Sequence, residues 1–275
     1  MLTFPNAKLN LGLYVTAKRP DGYHALETVF LPLPWTDALE VLPAPKGQVG
    51  TSLALTGRPI PGDVATNLCI KAYELLKADF PALPFAQLHL HKIVPIGAGL
   101  GGGSADAAFA LRAIADVFEL PLSGEQLAGY ARRLGADCAF FIENKPCLAL
   151  ERGDVFEPIS LDLRGTPCVV VYPGLHISTA QAFAGIVPQA PKIPLREALG
   201  QPLATWRDTV SNDFEASLAP TYPVLADIKA QLYAAGAAYA SLSGSGSAVY
   251  GLFPGAAEAP APDWPSEYLV WRGRL

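Results

Sequence analysis

The sequence predicts an α+β fold made of two lobes. Apolar and polar residues alternate as in a strand through residues 8–18, and a helical period follows a glycine-rich segment at residues 97–103. A second helical pattern comes next, where a parallel sheet would place a strand. The pattern changes again after Gly153. We therefore expect lobes at residues 1–155 and 156–275, with a cleft between them.

The first lobe opens with a predicted hairpin. Its first strand carries aliphatic residues on one face and Lys8 and Asn10 on the other, so we expect it to be half-buried. Residues 19–22, Arg-Pro-Asp-Gly, have the composition of a turn. Tyr23 and His24 follow this turn directly, at the start of the returning strand.

The remaining elements follow from the same two periods. Asn67 begins a predicted helix that extends to residue 80, and Ser104 is the expected N-cap of the helix after the glycines. The next helix is expected to stop at Gly135. The patterns also predict strands at residues 39–42, 52–55, 87–94, 167–171, 238–242, 248–253 and 267–272, and helices at 123–134, within 178–218 and at 223–235.

Composition limits the classes of partner. Hydrophobic residues make up 51% of the 275 residues, charged residues 16%, and the net charge is −5, which argues against binding nucleic acid. The four cysteines are scattered and no leader pattern is evident, which favours a cytoplasmic protein. Residues 231–257 lack charge, but glycines interrupt them, so we expect buried strands and no membrane span. The expected assembly is a monomer or a homodimer.

The glycine-rich segment is the most informative feature of the chain. Glycine lets the backbone adopt positive φ and lets a ligand approach, while the following helix offers free N–H groups and a partial positive charge. Together these features predict an anion site, most often for phosphate. The spacing of Gly97, Gly99 and Gly102 also matches the dinucleotide fingerprint, but that match alone is weak. A plain glycine-rich turn remains open as well.

Other candidate residues are ordinary when taken one at a time. Lys8 fits a solvated strand face, and Asp137 fits a turn after a helix. His89 and His91 share a strand face without a carboxylate or cysteine in ligand register, so no metal site is predicted. A second glycine-rich loop fits either a plain hairpin or a second wall around a phosphate; its residues are Ser243, Gly244, Ser245 and Gly246.

Taken in order, three segments resemble the motifs of the GHMP kinase superfamily. They are residues 5–11, 95–104 and 242–248. Residues 8–24 and 135–137 are similar to those of the members that act in non-mevalonate isoprenoid (terpenoid) biosynthesis. The resemblance implies a two-lobed kinase with its active site in the cleft. It also implies that ATP, brought with Mg²⁺, phosphorylates the 2-hydroxyl of 4-(cytidine 5′-diphospho)-2-C-methyl-D-erythritol.

The resemblance also implies roles for individual residues in catalysis and ATP binding. Asp137 would be the catalytic base, and Lys8 its cationic partner near the transferred phosphoryl group. Asn67 would lie near the adenine and ribose. The glycine loop would surround the ATP phosphates through Pro95, Ile96, Gly97, Ala98, Gly99, Leu100, Gly101, Gly102, Gly103, Ser104 and Ala105.

The second substrate would bind through a cytidine clamp. Tyr23 would stack on the cytosine, and His24 would form a hydrogen bond with its edge. Phe183 would stack opposite Tyr23, while Asn10 and Thr179 would contact the substrate. Departures from the family pattern are Cys138-Ala139, where the family usually has Val-Pro, and Gln181-Ala182.

Three other functions are compatible with parts of the pattern. The first is another kinase of the superfamily, acting on mevalonate, phosphomevalonate or homoserine, although these substrates carry no base for Tyr23 to stack on. The second is a nucleotide-binding regulator without catalysis, which the presence of both Lys8 and Asp137 argues against. The third is an NAD-dependent oxidoreductase, supported only by the glycine spacing. Asp106 suits the start of a helix, yet a carboxylate repels a nearby triphosphate unless Mg²⁺ or the geometry intervenes, so the sequence assigns it no role.

Overall fold

A computed structural model describes residues 1–260 and 262–275. Its strands come from the segments where apolar residues alternate or run together, as expected for half-buried and fully buried strands. In chain order they are β1 (Leu2–Thr3), β2 (Asn6–Lys18), β3 (His24–Thr36), β4 (Ala38–Pro43), β5 (Ser52–Gly57), β6 (Ala86–Lys92), β7 (Cys147–Glu151), β8 (Val155–Pro158), β9 (Pro167–Tyr172), β10 (Tyr239–Leu242), β11 (Val249–Leu252) and β12 (Leu269–Arg274).

The helices follow the segments with a 3.6-residue period. The predicted strands and longer helices are confirmed to within a few residues at each end, and the α+β class is confirmed. The helices are α1 (Leu68–Asp79), α2 (Gly102–Val117), α3 (Gly124–Leu134), α4 (Phe140–Glu143), α5 (Thr179–Phe183), α6 (Leu195–Leu199), α7 (Trp206–Thr209), α8 (Asp213–Leu218) and α9 (Val224–Ala234).

The first of two compact units comprises residues 1–7, 35–96 and 101–145. Its sheet has the order β1-β4-β6-β5, in which β5 runs parallel to β6 and the other pairs are antiparallel. Helices α1 to α4 complete the unit. The buried face of α2 consists mostly of alanine side chains, so α1 and β4 pack closely against it.

The second unit comprises residues 8–34, 97–100 and 146–275. It contains two sheets, with the orders β2-β3-β7-β8 and β10-β11-β9-β12, and helices α5 to α9. Aliphatic side chains from β2, β9, β10, β11 and α9 form one buried cluster in this unit. Both units are assembled from separate chain segments, and the functional lobes expected at residues 1–155 and 156–275 stay a prediction.

The expectation that β2 is half-buried is wrong. Both of its faces are buried from Asn6 to Val15, and Lys8 is only 3% exposed. Polar partners explain how the Lys8 face tolerates burial, since Asn10 and Thr28 form hydrogen bonds there. A polar residue in a strand therefore need not point to solvent.

The uncharged stretch at residues 231–257 forms the end of α9, the strands β10 and β11 and the loops beside them, as predicted. Among the described residues, none of the helices combines the length and apolarity needed to cross a membrane.

Candidate active site

Residues 97–100 of the first glycine-rich loop pack against the second glycine-rich loop. The Ser243 hydroxyl donates a hydrogen bond to the Gly99 carbonyl oxygen at 2.9 Å, and the Ala248 amide donates to the Ala98 carbonyl oxygen at 3.1 Å. Gly99 has φ of +77°, and a Cβ there would overlap the carbonyl oxygen of Ser243. Glycine is thus required at this position, and the two loops are adjacent. The second loop also connects the antiparallel strands β10 and β11, and its role as a wall around a phosphate stays a prediction.

The amide of Lys8 ties strand β2 to the same loop. It donates to the Leu100 carbonyl oxygen at 2.9 Å. The Lys8 ammonium lies 2.5 Å from the Asn10 side-chain oxygen and 4.8 Å from the centre of the Phe30 ring. Asn10 is oriented in turn by its hydrogen bond to Thr28 at 2.9 Å. These contacts hold a buried cation in a defined place beside the loop.

Helix α2 begins directly after the loop, at Gly102. Its N-cap is Gly101, with φ of +70° and no side-chain capping bond, so first-turn N–H groups are not used by a side-chain cap. The prediction that Ser104 is the N-cap is wrong. Ser104 lies inside the first turn of the helix. The uncapped start of a 16-residue helix is suited to bind an anion.

Asp137 lies in the turn between α3 and α4. Helix α3 is capped by Ser123 and stops at Gly135, as predicted, so that the chain turns and leaves Asp137 partly exposed. Cys138 and Ala139, which depart from the family pattern, are both buried. Burial raises the pKa of the Cys138 thiol to about 11, which keeps this neighbour of Asp137 neutral.

The expected substrate residues His24 and Phe183 lie together. Their rings stack with centroids 4.7 Å apart and planes inclined by 19°, and Phe214 packs edge-on against Phe183 at 4.8 Å. Tyr23 is 59% exposed, and the Arg152 guanidinium lies 5.4 Å from its ring centre. In this structure the Phe183 ring therefore stacks on His24. The resemblance instead implies that Phe183 lies opposite Tyr23, with the base of the ligand between the two rings.

Thr179 is the first residue of the short helix α5. Ser178 and Gln181 form a reciprocal capping box at its start, and the Gln181 amide also donates to the Tyr222 hydroxyl at 3.3 Å. The unusual Gln181 thus has a structural reason in this chain. It fixes the helix that carries Thr179 and Phe183.

Two family models match the chain. "GHMP kinases N terminal domain" covers residues 67–145 and "GHMP kinases C terminal" covers residues 195–268, together more than half of the sequence. The chain belongs to the GHMP kinase family. It is therefore a phosphotransferase, and members of this family use ATP as the phosphoryl donor. Membership excludes the oxidoreductase interpretation of the glycine spacing.

Named relatives of this GHMP kinase match along nearly the whole chain. A Bacteroides thetaiotaomicron protein named 4-diphosphocytidyl-2-C-methyl-D-erythritol kinase is 49% identical over 275 residues, 100% of both chains. A Cytophaga hutchinsonii protein of the same name is 50% identical over 254 residues, 92% of each chain. A crystal structure of 4-(cytidine 5′-diphospho)-2C-methyl-D-erythritol kinase is 32% identical, with a TM-score of 0.80, over 93% of this chain and 91% of the other.

Asn67, expected near the adenine and ribose, is the N-cap of α1 in this GHMP kinase. Its side-chain oxygen accepts a hydrogen bond from the Cys69 amide at 2.9 Å. The cap occupies one acceptor position and leaves the amide nitrogen as a donor. Its predicted role toward ATP stays a prediction.

Sequence reasoning missed two polar groups that lie beside the two glycine-rich loops. Asn212 caps α8, and its amide nitrogen donates to the carbonyl oxygens of Leu242 and Gly244 at 2.9 Å each, which fixes the second glycine-rich loop. Lys92 forms a buried ion-pair cluster with Asp37 and Asp106. The one local signal for Lys92 is its position, in phase with the buried leucines of β6.

No resident metal site is built into the described part of the chain. Within residues 1–260 and 262–275, no group of three or more His, Cys, Asp or Glu side chains is arranged to hold a metal ion. The buried carboxylate of Asp106 already pairs with Lys92. Mg²⁺ in kinases is usually held by substrate phosphates with one or two carboxylates, so a metal that arrives with ATP needs no such group in the protein.

Proposed function

We propose that this chain transfers the γ-phosphoryl group of ATP to the 2-hydroxyl of 4-(cytidine 5′-diphospho)-2-C-methyl-D-erythritol. The products would be the 2-phosphate and ADP. The names of the relatives that match all or nearly all of the chain support this substrate. The reaction belongs to non-mevalonate isoprenoid biosynthesis.

The stack between His24 and Phe183 carries the choice of substrate class. Two aromatic rings in contact, with the exposed Tyr23 next in sequence, offer flat apolar surfaces and a ring nitrogen to a nucleobase. Mevalonate and homoserine carry no base that could use such surfaces. We propose that cytosine binds here, between Tyr23 and Phe183, with the His24 ring moving off Phe183 to form a hydrogen bond with the edge of the base.

The glycine loop and the start of α2 are the proposed site for the ATP phosphates. The second glycine-rich loop fixes Gly99 from one side, and first-turn N–H groups of α2 supply donors and a partial positive charge. Mg²⁺ would arrive already bound to the ATP phosphates, as part of the substrate. We assign it no protein ligand.

Asp137 and Lys8 are the proposed catalytic residues. As the 2-hydroxyl oxygen attacks the γ-phosphorus, its proton passes to the Asp137 carboxylate, and the bond from the γ-phosphorus to the ADP oxygen breaks. Lys8 supplies a positive charge to the phosphoryl group in transfer. Its contacts with Asn10 and Phe30 hold the ammonium in place before substrate binds, so little reorganisation accompanies the reaction.

A substrate-selectivity assay tests the proposal. Purified protein is incubated with ATP, Mg²⁺ and one acceptor at a time, and ADP release is followed, with phosphorus NMR locating the new phosphate ester. We expect turnover with the cytidine diphosphate compound and none with mevalonate or homoserine. Preferred turnover of mevalonate or homoserine would overturn the proposed substrate, and tight ATP binding without any turnover would favour a regulator.

We also propose a cytoplasmic location and a monomeric or homodimeric assembly. Cys69, Cys138, Cys147 and Cys168 are free thiols, which suits a reducing compartment. Light scattering of the purified protein distinguishes one chain from two.

A further inference from the structure

Lys92 is a buried ammonium shared by two carboxylates, all within the first compact unit. It is 2% exposed and lies 2.5 Å from an oxygen of Asp37 and 2.7 Å from an oxygen of Asp106. Burying three ionisable groups is costly unless each is paired. Here each of the three groups is paired, and the pairs fix where their side chains lie.

The cluster connects the two ends of the glycine loop. Asp37 uses its second oxygen to accept hydrogen bonds from the Ile93 and Val94 amides, at 2.5 and 2.8 Å, immediately before the loop. Asp106 lies in α2, immediately after the loop. Lys92 binds both carboxylates, so one side chain links the segment that enters the loop to the helix that leaves it.

Gly102 makes the contact between Lys92 and the helix start close. A Cβ at this position would lie 2.9 Å from the Lys92 ammonium nitrogen and 3.1 Å from a methyl carbon of Val94. The first turn of α2 thus packs directly against the Lys92 cluster. Its N–H groups are those proposed above to bind phosphate.

We propose that Lys92, together with Asp37 and Asp106, is a positioning residue that holds the ends of the glycine loop in the geometry that binds the ATP phosphates. This proposal rests on the proposed function of the loop as the phosphate site. The proposal also gives Asp106 a role that is compatible with its repulsion of the triphosphate, because the Asp106 carboxylate is paired with Lys92.

The test compares ATP with adenosine, which lacks phosphates, by calorimetric titration. Asp106→Ala removes the link to α2 but keeps the Lys92–Asp37 pair, so the variant is expected to fold. We expect its Kd for ATP to rise about 10-fold, as for a displaced binding group, with adenosine affinity unchanged. Asp106→Asn keeps an oxygen for Lys92 and should restore most of the ATP affinity.

Leu76→Ala, in the core of α1, is the control for loss of stability alone, and it should leave both affinities unchanged. Lys92→Met should repeat the Asp106→Ala result if it folds; if it does not, Asp106→Ala and Asp106→Asn decide. Unchanged ATP affinity in Asp106→Ala, an equal loss for adenosine, or no rescue by asparagine would overturn the proposal. Failure of the acceptor assay with intact ATP binding would instead overturn only the proposed substrate.

Discussion

The hydroxyl of Ser243 donates a hydrogen bond to the carbonyl oxygen of Gly99, at 2.9 Å. This bond joins the two glycine-rich loops of the chain, which are separated by 144 residues in sequence. Asn212 holds the far side of the Ser243 loop through the Gly244 carbonyl oxygen. The backbone of the first glycine-rich loop is therefore fixed by the protein before any ligand binds, which would reduce the entropy lost on binding if the loop holds the ATP phosphates as proposed.

Gly99→Ala is expected to disrupt this contact. The new methyl group would overlap the Ser243 carbonyl oxygen, and alanine at φ of +77° is itself strained by about 1–2 kcal/mol. We expect a lower melting temperature and a Kd for ATP raised by about 10-fold or more. Thermal denaturation and ATP titration measure the two effects.

Gly129→Ala is the matched control for that substitution. Gly129 lies inside α3 with open space around its Cβ position. The substitution should stabilise the protein by about 0.5–1 kcal/mol and leave ATP binding unchanged. Equal ATP affinity in the two variants would show that the Gly99 contact is not needed for binding.

Asp137→Ala is expected to reduce kcat by about 10²–10⁴-fold, or roughly 3–5 kcal/mol of barrier, because no group would then accept the hydroxyl proton. The Kd for ATP should be nearly unchanged. Asp137→Asn keeps the size of the side chain but not the basic carboxylate, so it should be almost as inactive. Unchanged turnover in either variant would remove Asp137 from the mechanism.

The start of α2 shows where local sequence rules fail. Serine is a better N-cap than glycine, so the sequence predicts a start at Ser104, yet the helix begins at Gly102 after a glycine in the left-handed region. Glycine has a low helix propensity. Two contacts favour the earlier start nevertheless: Gly102 packs closely against Lys92, and Lys92 pairs with Asp106 in the same helix. Tertiary contacts override the local preference here.

The charge cluster shows what periodicity cannot predict. Hydrophobic periods located β6 and α2, and glycine chemistry located the loop between them. The partners of Lys92 lie 55 and 14 residues away, and nothing in the local pattern pairs them. The stack of His24 on Phe183 is likewise a contact between distant segments. Such pairings depend on the fold, whereas strand and helix positions depend on neighbours in sequence.

Tyr23→Ala should weaken binding of the cytidine substrate with little loss of stability, since the ring is mostly exposed. Losing one stacking surface is expected to cost about 1–3 kcal/mol, seen as a higher KM for that substrate and an unchanged KM for ATP. Tyr23→Phe keeps the ring and should bind nearly as the native protein does. An effect on kcat alone would contradict the stacking role, and steady-state kinetics with each substrate varied in turn makes the distinction.

The pKa of Asp106 predicts how stability depends on pH. Burial raises this pKa to about 7, Lys92 opposes the rise and Asp37 adds to it; the Cys69 thiol also faces the cluster. The pKa values of Lys92 and Cys69 are both raised, so neither group titrates near neutral pH.

A carboxyl whose pKa is higher in the folded state than in the unfolded chain makes the folded state bind more protons between these two values. Stability from Asp106 therefore falls as pH rises from about 4 to about 7. We expect the free energy of unfolding of the native protein, relative to Asp106→Asn, to be smaller at pH 8 than at pH 5. Urea unfolding of both proteins at the two pH values measures this difference, and a difference independent of pH would show that Asp106 keeps an ordinary pKa.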